Sequence, residues 1–339
     1  MIFFRFVLIT LILSLSVSNI QSQTSPTSIQ SQSRTYDLIV VEFSIWTYIS
    51  ESMSFEPFFS PSLNDGDTLG DVKLSEYTNE IYYIVNTVAN EEGNLLYRYD
   101  IFSKQVDLLY QHDNLARITA PSISGSIFLL FSDLNDPTNS SICLFSSQEK
   151  SCDELTINLD FNDFFWIDNT SFTTAIDDEI RIYEISQGEV SNTFTYEFQD
   201  MLGDIELYKS QNSLIGVMYE ISNDYQPEIQ IFNLSTYDVN GVSHINISQE
   251  NTSILTNLTL SLDERLLKFN RGTTTSIFDF NTGESILEIH DVIRSSWSIS
   301  NRLFIVAHQD SDTFEVSVVD VDNAEILTVG EFQSEIYFL

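Results

Sequence analysis

The chain has 339 residues and carries 50 Asp and Glu against 14 Lys and Arg, a formal net charge of −36. That balance excludes a phosphate-backbone binder, which needs a basic footprint, and equally a protein held on an anionic membrane surface. Hydrophobic residues make up 42% and aromatics 13% of the chain, enough to build a packed core and too many for an acidic disordered segment.

The N-terminus reads Met1-Ile2-Phe3-Phe4-Arg5, then a mostly apolar run over residues 6–17, then small polar residues. One basic residue, a short apolar run and a small-residue boundary form the order of a secretory signal, with cleavage expected after Ser18 or Ser22. The run is shorter than the roughly 20 residues a spanning helix needs. An uncleaved anchor is the alternative, and no later segment approaches membrane-spanning length. Residues 1–22 are therefore expected to act as a signal peptide. Residues 23–35, rich in Ser, Gln and Thr, are expected to form a flexible leader, and residues 36–339 a single folded domain. The expected location is extracellular or periplasmic.

From about residue 70 a short pattern recurs: alternating apolar residues, an aromatic, a polar anchor, a turn, and a second strand. The copies read Arg98-Tyr99-Asp100-Ile101, Leu144-Phe145-Ser146-Ser147, Ile182-Tyr183-Glu184-Ile185, Ile231-Phe232-Asn233-Leu234, Ile277-Phe278-Asp279-Phe280 and Val318-Val319-Asp320-Val321. Their anchors lie 46, 38, 49, 46 and 41 residues apart, about 44 on average. Four residues past each anchor stand Lys104, Lys150, Gly188, Tyr237, Gly283 and Ala324, the place where a hairpin turn favours glycine. Two further strand-like runs precede each hairpin, rich in Val, Ile, Thr, Tyr and Phe. No segment shows helical spacing over a useful length.

Four short antiparallel strands in about 44 residues predict an all-β fold, a β-propeller of four-stranded antiparallel blades. Seven blades are favoured, with six plus an N-terminal extension as the alternative. The C-terminal Ser334-Glu335-Ile336-Tyr337-Phe338-Leu339 echoes Asn79-Glu80-Ile81-Tyr82-Tyr83-Ile84. A strand from the C-terminus is therefore expected to complete a blade begun near residues 37–50, leaving no open edge. At Ile277-Phe278-Asp279-Phe280-Asn281-Thr282-Gly283 and Ile182-Tyr183-Glu184-Ile185-Ser186-Gln187-Gly188 the chain resembles WD40-type propellers and their looser TolB-like relatives. The resemblance covers roughly residues 70–330 and is one of architecture. Tyr, Phe or Val replaces the family's Trp, and no Gly-His pair occurs.

Cys143 and Cys152 flank the second copy's turn and are candidates for a disulfide. The repeat register sets them about three residues out of opposition, roughly 10 Å along a strand, beyond the roughly 7 Å that a disulfide tolerates. A shifted turn would bring them together. Asn-x-Ser/Thr occurs at Asn139, Asn169, Asn233, Asn246, Asn251 and Asn257, no more often than composition predicts.

No nucleophile elbow, phosphate-cradling glycine loop or His-Glu-x-x-His is present. His112, His244, His290 and His308 lie far apart in sequence. The acidic clusters Asn64-Asp65-Gly66-Asp67, Asp177-Asp178-Glu179, Asp310-Ser311-Asp312 and Asp320-Val321-Asp322-Asn323 would suit Ca²⁺ if their oxygens converged. None matches the Ca²⁺ loop pattern, each falls where a turn is needed, and no cofactor is expected. Trp46, Trp166 and Trp297 could line a carbohydrate or peptide surface, but blade-core packing is the plainer expectation. These readings predict an exported, non-enzymatic, monomeric propeller binding a protein or glycan through loops on one face. A hydrolase or lyase with an acidic axial-channel site is the alternative.

Overall fold

The computed structural model describes residues 36–75, 78–88, 93–122, 124–133, 136–147, 149–155, 164–176, 179–186, 189–197, 205–209, 214–221, 227–233, 243–246, 255–261, 263–298, 302–308 and 313–339. Of these, 133, 136–139, 175, 176, 196, 197, 205–256 and 258 are described by backbone alone. The expected signal (1–22) and leader (23–35) lie outside the described residues.

Seven four-stranded antiparallel sheets follow one another along the chain. Blade I takes β1 (Leu38–Val41), β2 (Ser44–Ile49) and β3 (Ser54–Phe59). Blade II is β4 (Thr68–Leu74), β5 (Glu80–Asn86), β6 (Asn94–Asp100) and β7 (Val106–His112). Blade III is β8 (Leu115–Ile118), β9 (Ser126–Asp133), β10 (Asp136–Ser146) and β11 (Ser151–Leu155). Blade IV is β12 (Phe164–Trp166), β13 (Ser171–Ile176), β14 (Glu179–Ser186) and β15 (Glu189–Glu197). Blade V is β16 (Ile205–Lys209), β17 (Leu214–Ile221), β18 (Pro227–Asn233) and β19 (Ser243–Asn246). Blade VI is β20 (Leu255–Leu260), β21 (Leu266–Arg271), β22 (Thr274–Asp279) and β23 (Ser285–Ile289). Blade VII is β24 (Val292–Trp297), β25 (Leu303–His308), β26 (Phe314–Asp320) and β27 (Glu325–Phe332). The last strand, β28 (Ile336–Phe338), pairs antiparallel with β1 and completes blade I from the opposite end of the chain.

The first strands of successive sheets approach one another, β4 with β8, β12 with β16, β16 with β20, and β24 with β28, which makes them the innermost strands of the propeller. The echo between residues 334–339 and 79–84 therefore joins different positions, since β28 is innermost in blade I whereas β5 is second in blade II. The two differ in burial as well: β5 is buried over Ile81–Val85, whereas in β28 Ile336 is buried and Tyr337 exposed.

The middle strands read as continuous apolar runs because neighbouring blades cover both faces. Along β1, Leu38 and Val40 pack with Val72, Ile81 and Tyr83 of blade II. Ile39 and Val41 pack with Phe304, Val306 and Val316 of blade VII. Phe128 and Ile142 of blade III likewise meet Phe164, Trp166 and Phe172 of blade IV. Burying one such side chain contributes about 1.5–3 kcal/mol, so these seams carry the fold.

The anchors of the repeat turn out to be caps. Asp279 Oδ1 accepts the N–H groups of Asn281 (2.9 Å) and Thr282 (2.8 Å), and Asp100 Oδ1 accepts that of Ser103 (2.7 Å). These bonds hold both carboxyls below their ordinary pKa. The backbone then turns through a left-handed residue at Lys104 (φ 56°), Lys150 (φ 52°), Gly283 (φ 70°) and Ala324 (φ 53°). Blade I uses the same turn with Ile49 at the anchor and Met53 (φ 50°) in the left-handed place.

Cys143 and Cys152 are joined by a disulfide with Cα atoms 5.6 Å apart. Phe145 is opposite Cys152 and Glu154 opposite Cys143, so the pair is two residues out of opposition rather than three. Strand twist draws this diagonal together.

A left-handed conformation costs an L-residue roughly 1–2 kcal/mol that glycine does not incur. Ala324→Gly is expected to stabilise the protein by about 1 kcal/mol in urea unfolding, and Gly283→Ala to destabilise it by a similar amount.

Candidate active site at the innermost strands

Cations are scarce in this chain, so their placement is informative. Residues 36–339 hold 12 of them, and four (Lys73, Arg117, Lys209 and Arg294) stand on innermost strands that carry only two acids, Asp71 and Glu206. Four cations against two acids on these strands contrast with the acidic balance of the chain as a whole.

Arg294, third residue of β24, reaches across to the closing strand of blade I. Its Nη1 donates to the Ile336 carbonyl at 2.5 Å and its Nη2 lies 3.3 Å from Glu335 Oε2. Its guanidinium carbon sits 3.9 Å from the centre of the Tyr337 ring, and the Tyr337 hydroxyl donates to the same Glu335 oxygen at 2.6 Å. Glu335 and Tyr337 are both exposed although one flanks and the other belongs to an innermost strand. The Tyr337 hydroxyl first, then the Arg294 charge, with a smaller contribution from His308, hold the Glu335 carboxyl below its ordinary pKa. The cluster offers a carboxylate, a phenol and a guanidinium within hydrogen-bonding reach of one point, all open to solvent.

The strand presenting Arg294 is held from behind. Lys268 on β21 is 1% exposed and donates to the Ser295 carbonyl (3.2 Å) and hydroxyl (3.1 Å). Ser295 in turn donates to Asn270 Oδ1 at 3.3 Å. In blade III the backbone of β8 is held the same way by blade II. Asp71 accepts the Ile118 N–H at 3.0 Å, and the Asn94 side chain donates to the Leu115 carbonyl at 2.8 Å.

Second and fourth strands of an antiparallel sheet run in the same direction, so His112, His290 and His308 emerge at one axial end, where Glu335 also lies. They do not converge as a group. His112 Nδ1 accepts the Asn114 N–H at 3.1 Å, His290 Nδ1 lies 3.1 Å from Thr274 Oγ1, and His308 rests against Phe314. Among the described histidines, His308 is the one that acts on the Arg294–Glu335 cluster. The side chain of His244 lies outside the described residues.

Among the described residues, no group of three or more His, Cys, Asp or Glu is arranged to hold a metal. Asp67 closes its own turn by accepting from Asn64 at 3.0 Å, and from the Val88 N–H at 3.3 Å. Asp320 caps Asn323, while Asp322 takes a 2.6 Å bond from Arg265 of the neighbouring blade. Asp177, Asp178, Asp310 and Asp312 lie outside the described residues. Trp166 and Trp297 are buried and donate to the Ala120 (2.8 Å) and Thr259 (3.3 Å) carbonyls. Trp46 packs edge-on against Phe332. Of the sequons, Asn169 stands in an exposed bend and Asn257 is exposed on β20. Asn251 and the side chains of Asn139, Asn233 and Asn246 lie outside the described residues.

Fold and site together define a seven-bladed propeller with a polar cluster at its axial mouth. No family model and no curated protein matches the sequence. Among solved structures the chain is similar to the periplasmic gluconolactonase of Pseudomonas aeruginosa, at 12% identity and TM-score 0.59, covering 90% of this chain and 99% of that one. It is also similar to a Bacteroides fragilis protein assigned as a 6-phosphogluconolactonase, at 11% identity and TM-score 0.58, covering 91% and 99%. Hsv2 of Kluyveromyces lactis follows at 12% identity and TM-score 0.50, covering 76% and 74%.

The expectation of a non-enzymatic binding module is corrected here. It rested on a propeller without catalytic motifs, yet whole-length neighbours bear the names of lactonases. A linear motif is a poor guide in a fold that builds its site from different blades. The residues missed were Arg294, Glu335, Tyr337 and Lys268. The signal that could have found them was the rarity of cations combined with their place in the repeat.

A carboxyl whose folded pKa is lowered contributes stability that is full above the ordinary carboxylate range and is lost as pH falls through the folded value. Glu335→Gln should therefore unfold at lower urea than wild type near neutral pH. The gap should close on acidification.

Proposed function

We propose that the chain is an exported propeller hydrolase that opens small lactones at the axial mouth between blades I and VII. The observation that carries this reading is the solvent-open meeting of Arg294, Glu335 and Tyr337 where the innermost strands of blades VII and I adjoin. Water adds to the ester carbonyl carbon, the ring C–O bond breaks, and the ring oxygen takes up a proton to give a hydroxy acid. Glu335, kept ionised by its neighbours, orients the water and receives its proton. Arg294 faces the charge that develops on the carbonyl oxygen and then the product carboxylate. The lactonase names of the whole-length neighbours support the substrate class. The Cys143–Cys152 disulfide and the signal-like residues 1–22 support export, since disulfides persist in oxidising compartments. The finer kinship within propellers, to WD40-type or TolB-like chains, rests on the repeat sequence alone.

The test is δ-gluconolactone hydrolysis followed by base uptake and corrected for the spontaneous rate. Wild type should exceed the spontaneous rate, with losses of roughly 100-fold for Glu335→Gln and for Arg294→Ala. No acceleration across a panel of aldonolactones would overturn the reading.

A further inference from the structure

At three places a backbone carbonyl on or beside an innermost strand is capped from an adjacent blade by a neutral donor. The Asn94 amide reaches Leu115 at 2.8 Å, the Trp166 indole Ala120 at 2.8 Å, and the Trp297 indole Thr259 at 3.3 Å. At Ser295 the donor is an ammonium instead. Lys268 Nζ lies 3.2 Å from the Ser295 carbonyl and 3.1 Å from its hydroxyl, in a side chain 1% exposed. Closure of the ring does not call for a charge here. Taking an ammonium out of water is costly, and apolar residues of like volume often replace buried ions without loss of stability. The seam offers that alternative, since Leu266 packs with Ile277, Val292, Trp297 and Ile305 across the same boundary. What the ammonium adds is a charge-assisted bond, roughly twice as strong as a neutral one.

Ser295 directly follows Arg294, and blade VII holds this stretch of β24 incompletely. A bulge leaves Ile293 without a partner on β25, between the pairs Val292–Ala307 and Arg294–Val306. Bulges break the ladder locally and re-aim the side chain beside them. Blade VI supplies the missing hold. Asn270 Oδ1 accepts from Ser295 Oγ at 3.3 Å and from Thr275 Oγ1 at 2.9 Å, so the anchor is itself fixed. Beyond Arg294 the bonds run on to the Ile336 carbonyl and to Glu335, beside the closing strand of blade I. One line of contacts joins a buried residue of blade VI to an exposed carboxylate.

We propose that Lys268 is a positioning residue for Arg294 and Glu335, holding through Ser295 the strand that aims the guanidinium at blade I. The inference rests on the hydrolase reading for its bearing on turnover, and adds a residue that touches neither ligand nor reacting atoms. The groups facing Glu335 are the Tyr337 hydroxyl on β28, the Arg294 guanidinium on β24 and His308 at the end of β25. Together they hold its carboxyl below the ordinary value. Lys268→Met removes the donor at nearly constant length and leaves all three unsubstituted. A role confined to stability would leave the Glu335 titration untouched.

The test is the pH titration of Glu335 in the full chain, read from the side-chain carboxyl signal of glutamate-labelled protein and assigned with Glu335→Gln. In Lys268→Met the titration should move up towards the ordinary carboxylate range, because Arg294 is no longer held against Glu335. Ser295→Ala, which keeps the carbonyl bond and loses the hydroxyl one, should give a smaller move in the same direction. Trp166→Phe, which removes a carbonyl cap between blades III and IV, should give none. An unchanged titration in Lys268→Met, or in Ser295→Ala where the former does not fold, would overturn the proposal. So would an equal shift in Trp166→Phe. In lactone hydrolysis the acid limb of kcat/KM should move with the titration, and kcat should fall by up to about 100-fold with KM changed less. A displaced titration without hydrolysis would keep the positioning role and sink the hydrolase. Hydrolysis with an unmoved titration would do the reverse.

Discussion

Each sheet of this propeller has an innermost strand with only one neighbour in its own blade, so a row of backbone N–H and C=O groups faces the axis unpaired. Leaving one such group buried and unsatisfied costs about 1–3 kcal/mol, more than an average hydrogen bond contributes. The structure meets this constraint with side chains lent by adjacent blades. Asp71 takes the Ile118 N–H, Asn94 the Leu115 carbonyl, Trp166 that of Ala120, Trp297 that of Thr259, Lys268 that of Ser295, and Arg294 that of Ile336. These bonds all cross a blade boundary. They tie neighbouring blades together through polar contacts beside the apolar seams.

That requirement explains why site and scaffold are hard to separate here. Arg294 holds the closing strand through the Ile336 carbonyl and, with the same fork, positions Glu335. A residue needed for closure is thereby placed, rigidly and at no further entropic cost, where a ligand can reach it. The strand that closes blade I also meets β24 of blade VII, bringing together residues 42 positions apart in sequence.

Much of the architecture was legible because each feature has a local cause. The anchors are side chains that cap a hairpin, and the residue four positions later is left-handed at Lys104, Lys150, Gly283 and Ala324. Closure from both chain ends was legible from leftover strand-like segments. The hairpin of blade I escaped the pattern because its anchor is Ile49, which has no side-chain acceptor to offer, although Met53 adopts the same left-handed geometry. The apparent echo of residues 79–84 at the C-terminus marked composition rather than position. The site itself was not legible, since it depends on which strands meet at the axis. A search along the chain is blind to a constellation that the ring creates by joining its first and last blades.

The charge distribution gives the inner cations a further consequence. Under the proposed hydrolysis, a neutral lactone would approach a body of charge −36 without penalty, whereas the hydroxy-acid product would be an anion repelled by the surrounding field. Beyond about 8 Å at physiological salt that repulsion is largely screened. Inside the mouth it is opposed only by the few cations on the innermost strands. In that proposed reaction one arginine would steady the carboxylate as it forms yet release it to a repulsive exterior, favouring turnover over product capture.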